Sequence, residues 1–209
     1  LQASLEFFKS KNSENNFCFH HVSTDEVYGS LEKNENAFIE DSKYKPNSPY
    51  SASKAGSDHL VRAWQKTYGL PCIITSCTNN FGPFQHPEKL MPVVIINGIL
   101  KNKIPIYGTG KNIRDWIYVE DHVEALISIM EKNLRNKTYL IGSNNEKENI
   151  ETVDTICKVL DKVSDTSYFH QNLKFFVKDR LGHDFRYSIN SQLIQSEIKW
   201  KPKNNFLNG

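Results

Sequence analysis

The spacing of apolar residues changes along the chain, and the changes predict alternating strands and helices. Residues 17–22 and 72–77 are short runs of apolar and β-branched residues between polar or glycine-containing stretches, a pattern typical of buried strands. Residues 50–68 follow Pro49 and stop at Gly69, which favours a helix with proline in its first turn and glycine at its end. A strand, a helix and a strand in this order predict parallel pairing with a right-handed crossover.

The rest of the chain predicts shorter, mixed elements. Asn149 is expected to cap a helix whose apolar positions fall on one face. The end of a helix is expected at residues 1–11, a polar turn at 11–16 and a surface loop at 30–47. The remaining predicted helices span residues 90–100, 119–132, 149–163 and 192–198, and the remaining strands span residues 104–107, 138–141 and 174–177.

Composition and charge exclude several classes of function. With 38% hydrophobic and 24% charged residues the chain has the composition of a soluble globular protein, and a net charge of +2 predicts neither nucleic-acid nor membrane partners. The longest apolar stretch, residues 90–100, is broken by Pro92 and is far shorter than the ~20 residues of a membrane helix. The four cysteines form no CxxC pair, which favours reduced thiols in a cytoplasmic protein, and no metal site is expected from the ligand spacings.

Tyr50 and Lys54 are the first candidates for chemistry. Their spacing places both side chains on one face of the predicted helix. An ammonium beside a phenol favours the phenolate, so the pair predicts a lowered pKa for Tyr50 and a role as general base. Thr24, Asp25 and Glu26 are expected just past the carboxyl end of the first strand, where open α/β sheets bind ligands. A hydroxyl and two carboxylates at that place suggest redox chemistry on a sugar.

Longer strings around these residues carry a resemblance to a known family. Thr24, Tyr50 and Lys54 resemble the Ser/Thr, Tyr and Lys of the extended short-chain dehydrogenase/reductase superfamily. Six strings resemble, in the same order, those of the dTDP-glucose 4,6-dehydratase family, and the match extends from about residue 17 to residue 209. The strings are residues 20–29, 48–55, 58–64, 79–83, 87–92 and 114–122.

The resemblance implies an α/β fold, with a Rossmann-type parallel sheet that lacks its N-terminal strands and a smaller mixed α/β lobe that binds the substrate. Residues 1–83 would form the C-terminal half of the NAD-binding domain. Residues 84–209 would form mainly the nucleotide-sugar lobe, with some segments returning to the first domain. Residue 1 is Leu, and no GxGxxG motif follows a strand, so the chain is expected to be a fragment that lacks this N-terminal region.

The activity that the resemblance implies is NAD-dependent dehydration of dTDP-glucose to dTDP-4-keto-6-deoxyglucose. Tyr50 would accept the proton of the sugar 4-hydroxyl while hydride leaves C4, Thr24 would polarise the developing carbonyl, and Lys54 would hold the nicotinamide ribose. Glu26 would then remove the C5 proton, and a protonated Asp25 would protonate the departing 6-hydroxyl before hydride returns to C6. An epimerase needs no such acid/base pair, so these two carboxylates discriminate between the reactions.

The resemblance also implies binding residues. Leu181 stands where the family has Pro, a departure that should loosen the turn at residues 179–184. Asn149 is interpreted both as a helix cap and as a substrate contact, and Asp121 and His122 are expected to be structural. The residues expected to contact NAD are Ser23, Tyr50, Lys54 and Asn80. Those expected to contact the nucleotide-sugar are Thr24, Asn79, Glu88, Lys89, Leu90, Pro105, Tyr107, Arg114, Asn149, Arg180 and His183.

The resemblance further implies a homodimer that uses the helix over residues 50–68 and a role in making deoxysugars such as rhamnose. Two alternatives stay open. One is another nucleotide-sugar epimerase, decarboxylase or dehydratase of the same superfamily, since the base preference rests on the resemblance alone. The other is a truncated, non-catalytic chain that binds a partner, which the absent GxGxxG motif favours. The residues also leave open whether Leu1 is a natural start.

Overall fold

A computed structural model of the chain describes residues 1–10, 17–164 and 168–209. The polar turn predicted at residues 11–16 lies outside the described residues. Two short 3₁₀ helices, Asp25–Tyr28 and His170–Leu173, accompany the helices and strands. In chain order these are α1 (Gln2–Ser10), β1 (Phe19–Thr24), α2 (Pro49–Tyr68), β2 (Cys72–Cys77), β3 (Asn79–Phe81), α3 (Leu90–Ile99), β4 (Ile104–Tyr107), β5 (Ile113–Tyr118), α4 (Val119–Glu131), β6 (Lys137–Ile141), β7 (Glu146–Glu148), α5 (Asn149–Val163), β8 (Lys174–Val177) and α6 (Gln192–Ile198).

The central sheet is parallel and has the strand order β1-β2-β6. Consecutive side chains of a strand point to opposite faces of the sheet, and helices cover both faces. On β2, Ile73 packs with residues of α4 and α6, whereas Ile74 packs with residues of α1 and α2. Thr24 lies opposite Cys77, so the carboxyl ends of β1 and β2 meet at one edge of the sheet. The predicted parallel α/β sheet is confirmed.

A second group of elements is built around α3 and α5. Val94 of α3 and Val153 and Cys157 of α5 pack on the buried side chains of β4, which pairs with β8 in parallel. A further small sheet has the order β3-β5-β7. The division of the chain at residue 83 stays a prediction. β6, from the second half of the chain, pairs with β2 in the central sheet. This agrees with the expectation that some segments after residue 83 belong to the first domain.

Most predicted elements are confirmed; the differences are three strands that were not predicted, β3, β5 and β7, and the ends of some other elements. β1 extends to Thr24, so Thr24 is the last strand residue rather than a residue just past the strand. The expectation that Asn149 caps α5 is wrong, because Glu148 is the N-cap and forms a capping box with Glu151. The backbone N–H of Asn149 donates instead to the carbonyl of Asn112.

The structure also bears on three general expectations, which concern the cysteines, membrane-spanning helices and the loop at residues 30–47. All four cysteines are free thiols. None of the helices in the described part of the chain is long and apolar enough to cross a membrane. The predicted loop at residues 30–47 is fastened to the end of the chain by bridges between Leu31 and Arg186 and between Phe38 and Ile189.

Candidate active site

The candidate acid/base pair, Asp25 and Glu26, directly follows the end of β1. Thr24 has extended backbone angles and caps the 3₁₀ turn that follows, with its hydroxyl accepting from the backbone N–H of Glu26 at 3.3 Å. The same hydroxyl donates to Oδ1 of Asp25 at 3.4 Å. The turn sends the two consecutive carboxylates into different surroundings.

Asp25 is a buried acid that stays protonated at neutral pH. The residue is 2% exposed, and its Oδ2 atom has no hydrogen-bond partner among the described residues. Burial, together with the nearby carboxylates of Glu26 and Asp115, raises the pKa of Asp25 to about 8. Neutral Asp25 therefore carries a proton that it can donate.

Glu26 faces open space instead. Its side chain lines a cavity of about 280 Å³. Burial raises the pKa of Glu26 above its ordinary value, while the charges of Arg114 and Lys89 act in the opposite direction. A carboxylate in this position can accept a proton from a ligand in the cavity.

Tyr50 lies in the first turn of α2, close enough to Glu26 and Asp25 for their charges to act on its phenol. Ser48 caps the helix in a capping box with Ser51, and Pro49 takes the first helical position. Tyr50 remains 56% exposed, which leaves its phenol accessible to a ligand.

The expectation that Lys54 lowers the pKa of Tyr50 is wrong in this structure. Nζ of Lys54 donates to the backbone carbonyl of Val22 at 2.8 Å. The pKa of Tyr50 is raised instead, first by partial burial and then by the negative charges of Glu26, Cys77 and Asp25. The carboxylates of the 3₁₀ turn therefore affect the pKa of Tyr50 more than the ammonium of Lys54 does.

The cavity brings together the residues predicted to bind the nucleotide-sugar. Every one of them except Thr24 is in its wall, although they come from segments far apart in the chain. They are Asn79, Glu88, Lys89, Leu90, Pro105, Tyr107, Arg114, Asn149, Arg180 and His183. The wall does not include Thr24, Asp25, Tyr50 or Lys54. Thr24 and Asp25 directly precede Glu26, the charge of Glu26 acts on Tyr50, and Lys54 donates to a carbonyl of β1.

Arg114 supplies a buried positive charge to the cavity wall. The residue is 7% exposed, and its guanidinium donates to three backbone carbonyls: Ile113 at 2.7 Å, Phe185 at 3.2 Å and Asp184 at 2.9 Å. It lies over the ring of Tyr187, 4.3 Å from the ring centroid. Burial lowers the pKa of Arg114. Because these partners are neutral carbonyls, the charge suits an anionic ligand group.

Two amide side chains in the wall have unused hydrogen-bonding capacity. The Oδ1 atoms of Asn79 and Asn149 are buried and have no hydrogen-bond partner among the described residues. Buried polar atoms are normally paired, so such orphans in a cavity wall indicate ligand contacts. For Asn149 this favours the substrate-contact interpretation over the cap.

The far wall of the cavity is the turn that follows β8. Arg180 stacks on the ring of Tyr107 at 4.2 Å, and Nδ1 of His183 contacts Oδ1 of Asp179 at 2.7 Å. Gly182 has a positive φ of 64°, which a residue with a side chain adopts at a cost. Leu181, which replaces the family's proline, is 97% exposed at the rim.

The residues predicted to contact NAD gather at the carboxyl ends of β1 and β2, outside the cavity wall. The Ser23 hydroxyl donates to Oδ2 of Asp58 at 2.9 Å. Nδ2 of Asn80 donates to Sγ of Cys77 at 3.3 Å and to the carbonyl of Thr78 at 3.1 Å. The side chains of Ser23 and Asn80 thus have protein partners in this structure.

Sequence reasoning missed several wall residues. Asp184 is the most connected: its carboxylate accepts from Nδ2 of Asn47 and from Oη of Tyr187, each at 2.6 Å. Its carbonyl also accepts from Arg114. The string at residues 179–184 pointed to this turn, but the partners of Asp184 lie in separate segments. The other missed wall residues are Ser48, Gln85, Ile106, Trp116, Val153, Leu181, Gly182 and Tyr187.

Comparison with known proteins agrees with this geometry. Residues 3–209 match the model of the family described as GDP-mannose 4,6 dehydratase. The dTDP-glucose 4,6-dehydratase of Shigella flexneri is 48% identical over 219 residues, which cover 100% of this chain and 61% of that protein. The enzyme of the same name from Haemophilus influenzae is 50% identical over 197 residues, covering 92% of this chain and 58% of that protein. The chain thus spans about three fifths of the length of these relatives.

Solved structures give the same picture. A dTDP-glucose 4,6-dehydratase from Bacillus anthracis in complex with NAD is 42% identical with a TM-score of 0.86, and the match covers 98% of this chain and 62% of that one. The enzyme from Streptomyces venezuelae with NAD and TYD bound is 37% identical with a TM-score of 0.86, covering 100% and 62%. A UDP-glucuronic acid 4-epimerase from Bacillus cereus has a TM-score of 0.84 at 22% identity, which shows a shared fold only.

Proposed function

The chain belongs to the GDP-mannose 4,6 dehydratase family, and we propose that the protein that contains it dehydrates dTDP-glucose to dTDP-4-keto-6-deoxyglucose with NAD. One observation carries the proposal: a buried, neutral Asp25 directly precedes Glu26, which faces the cavity. Elimination of water needs both a proton donor and a proton acceptor at neighbouring carbons. The identities of 48% and 50% to dTDP-glucose 4,6-dehydratases support dTDP-glucose as the substrate.

Each proton transfer of the proposed reaction is assigned to a residue of the chain. Tyr50 accepts the proton of the 4-hydroxyl, and Thr24 donates a hydrogen bond to the 4-oxygen. Glu26 then removes the C5 proton, made acidic by the ketone at C4, and Asp25 donates its proton to the departing 6-hydroxyl. Glu26 afterwards returns a proton to C5. Asp25 in its neutral form removes one of the negative charges that disfavour the Tyr50 phenolate.

The residues fit the nicotinamide end of NAD. The exposed phenol of Tyr50 lies where β1 and β2 end, beside Cys77 and the acid/base pair, so a ligand can reach it. Lys54 and Asn80 belong to the same edge of the sheet. Bound NAD supplies the hydride acceptor for C4 and the hydride donor for C6. The chain contains no GxGxxG loop for the pyrophosphate of the dinucleotide, so the fit is limited to the nicotinamide end.

The cavity fits the nucleotide-sugar. Arg114, with its carbonyl-bound guanidinium, and Lys89 at the start of α3 suit the diphosphate. Asn79 and Asn149 offer unpaired oxygens to sugar hydroxyls. Arg180 and Tyr107 form a stacked pair that can flank the base.

Three finer statements accompany the proposal. A homodimer would use α2, whose surface exposes the apolar side chains of Leu60 and Tyr68. The four free thiols favour the cytoplasm. A 4-keto-6-deoxy product suits the synthesis of deoxysugars such as rhamnose.

The test measures loss of water directly. The product of the complete reading frame that contains this chain is incubated with NAD and dTDP-glucose, and separately with UDP-glucose and GDP-mannose. Product mass and the absorbance of a 4-keto sugar are followed. We expect one water to be lost from dTDP-glucose, and D25N and E26Q to abolish the loss, while the surface variant E120Q retains it.

Other outcomes would replace the proposal. Dehydration of GDP-mannose or UDP-glucose in preference to dTDP-glucose would keep the reaction and change the base. An epimerised sugar without loss of water would indicate the epimerase alternative. Full activity of D25N and E26Q would remove the acid/base assignment.

A further inference from the structure

Asp58 is a buried carboxylate that none of the proposed catalytic steps uses. It lies on α2, is 0% exposed and accepts three hydrogen bonds. Oδ1 contacts Nε2 of His21 at 2.9 Å, and Oδ2 accepts from the hydroxyls of Ser23 at 2.9 Å and Tyr44 at 2.7 Å. A buried carboxylate without such donors would be strongly destabilising, so the cluster is built around this charge.

The cluster joins two elements that carry the proposed catalytic residues. Asp58 lies one turn after Lys54 and two turns after Tyr50 on the same face of α2. His21 and Ser23 flank Val22 on β1, and the Val22 carbonyl accepts from Lys54. Two consecutive turns of α2 are therefore fastened to residues 21–23 of β1. The strand residue that follows is Thr24, and the acid/base pair comes directly after it.

We propose that Asp58 is a positioning residue, which holds α2 in register with β1 and so places the Tyr50 phenol against Thr24, Asp25 and Glu26. The proposal rests on the proposed function. In the described part of the structure, the hydrogen bonds between this face of α2 and residues 21–23 of β1 are those of Lys54 and Asp58. If these hydrogen bonds are lost, the phenol moves relative to both carboxylates, while the cavity wall, most of which comes from segments other than β1 and α2, largely keeps its shape.

The charge of Asp58 is stable at neutral pH. Burial raises its pKa, but hydrogen bonds from His21, Tyr44 and Ser23 outweigh this and hold the pKa below its ordinary value. An asparagine has nearly the same shape and can still accept from His21 through Oδ1. Its amide nitrogen replaces the acceptor of Ser23 and Tyr44, whose hydroxyls can rotate to accept instead. D58N should therefore fold and yet shift the helix.

The first experiment compares turnover with binding in the product of the complete reading frame. For D58N we expect kcat to fall by ~10- to 100-fold, because small misplacements of reacting groups have effects of this size. We expect the Kd for dTDP to stay within about twofold of the wild type, since Asp58 does not line the cavity. With substrate deuterated at C4, the isotope effect on kcat should rise, because oxidation at C4 becomes slower.

A matched control separates positioning from loss of stability. Asp154 on α5 is a partly buried carboxylate paired with Lys174 at 2.5 Å, and neither residue lines the cavity. D154N should lower the thermal midpoint without changing kcat per folded molecule or the isotope effect. If D58N behaves in the same way, Asp58 is merely structural and the proposal is overturned.

A second measurement needs no turnover and so remains decisive if the proposed function fails. Tyrosine labelled with ¹³C at Cζ reports the pKa of Tyr50 by NMR, with Y50F to assign the signal. The wild type should titrate above the ordinary tyrosine pKa because of partial burial and the nearby carboxylates, and D58N should titrate closer to that value. An unchanged Tyr50 pKa in D58N would show that the phenol had not moved, which contradicts the proposal.

Discussion

Asp25 and Glu26 are consecutive, yet Glu26 lines the cavity while Asp25 is buried, with one carboxylate oxygen that has no partner among the residues the structure describes. The 3₁₀ turn that Thr24 caps causes this divergence. Two carboxylates so close together cannot both ionise easily, and the buried one keeps its proton. The same arrangement that suits elimination should make the fold sensitive to pH.

Replacement of Asp25 by Asn should flatten this pH dependence. The pKa of Asp25 is about 8 in the folded chain, against 3.8 without perturbation. Between about pH 4 and pH 8 the unfolded chain has lost this proton while the folded chain retains it, so stability falls as pH rises. D25N should be more stable than the wild type at pH 9 by up to about 6 kcal/mol, since each pKa unit corresponds to about 1.4 kcal/mol, and similar to it at pH 4. Urea unfolding at several pH values measures this.

The surface variant D41N is the control for D25N, because it removes a carboxylate without this burial. D41N should keep the wild-type slope of stability against pH. An equal slope for D25N would mean that Asp25 ionises normally in the folded chain.

Replacement of Arg114 by Lys should weaken nucleotide binding. A lysine cannot reproduce the planar fork that donates to three carbonyls and lies over Tyr187. We expect the Kd for dTDP, measured by calorimetry, to rise by ~10- to 100-fold. R62K is the matched control, since that guanidinium contacts Tyr44 and Thr138 outside the cavity. Equal losses of affinity in both variants would indicate a general loss of structure.

Sequence patterns predicted the central sheet because its strands and flanking helices are apolar where they pack. The pattern failed for β5, which contains the buried charges of Arg114 and Asp115. Most of their partners are distant in the chain. Arg114 donates to the carbonyls of Asp184 and Phe185 besides that of Ile113. Asp115 accepts backbone N–H bonds from Ser143, Asn144 and Asn145. Such burial is invisible to a rule that treats charged residues as exposed, so β5 and its neighbours β3 and β7 were missed.

The candidate site shows the same division. The resemblance named the residues that meet in the cavity wall, from Asn79 to His183. It could not show which atom each side chain contacts. Spacing on one helix suggested that Lys54 acts on Tyr50, but Lys54 binds a carbonyl on β1, a partner that only the folded chain brings near. The partners of Asp58 and Asp184 were hidden for the same reason.

Replacement of Leu181 by Pro should stabilise the turn at the cavity rim. Leu181 is 97% exposed and is not among the residues with positive φ, so neither burial nor a left-handed backbone opposes the proline of the family at this position. Proline at a compatible site stabilises by about 0.4–1 kcal/mol through the unfolded chain. We also expect tighter binding of dTDP, because Arg180 and His183 lose less freedom on binding. L181A isolates the loss of the leucine, and weaker binding by L181P would contradict the prediction.

His122 and Asn80 are joined by a hydrogen bond that should control stability below neutral pH. Burial, together with the nearby His20, lowers the pKa of His122 to about 4. Neutral His122 donates from Nδ1 to Oδ1 of Asn80 at 2.8 Å, because Nδ2 of Asn80 already donates to Cys77 and Thr78. The pair thereby orients an amide at the predicted nicotinamide site.

Replacement of His122 by Phe tests this pair. At pH 7, H122F leaves Oδ1 of Asn80 unpaired and should lose about 1–3 kcal/mol of stability. Between pH 6.5 and about 4 the unfolded wild type binds a proton that folded His122 does not, so wild-type stability falls as pH falls. H122F lacks this contribution. The difference in free energy of unfolding between H122F and the wild type should therefore become smaller towards pH 4 in urea titrations. H86F, a variant of an exposed histidine, should match the stability of the wild type at every pH. A loss of stability in H122F that becomes larger towards pH 4 would show that folded His122 is protonated and contributes as a cation.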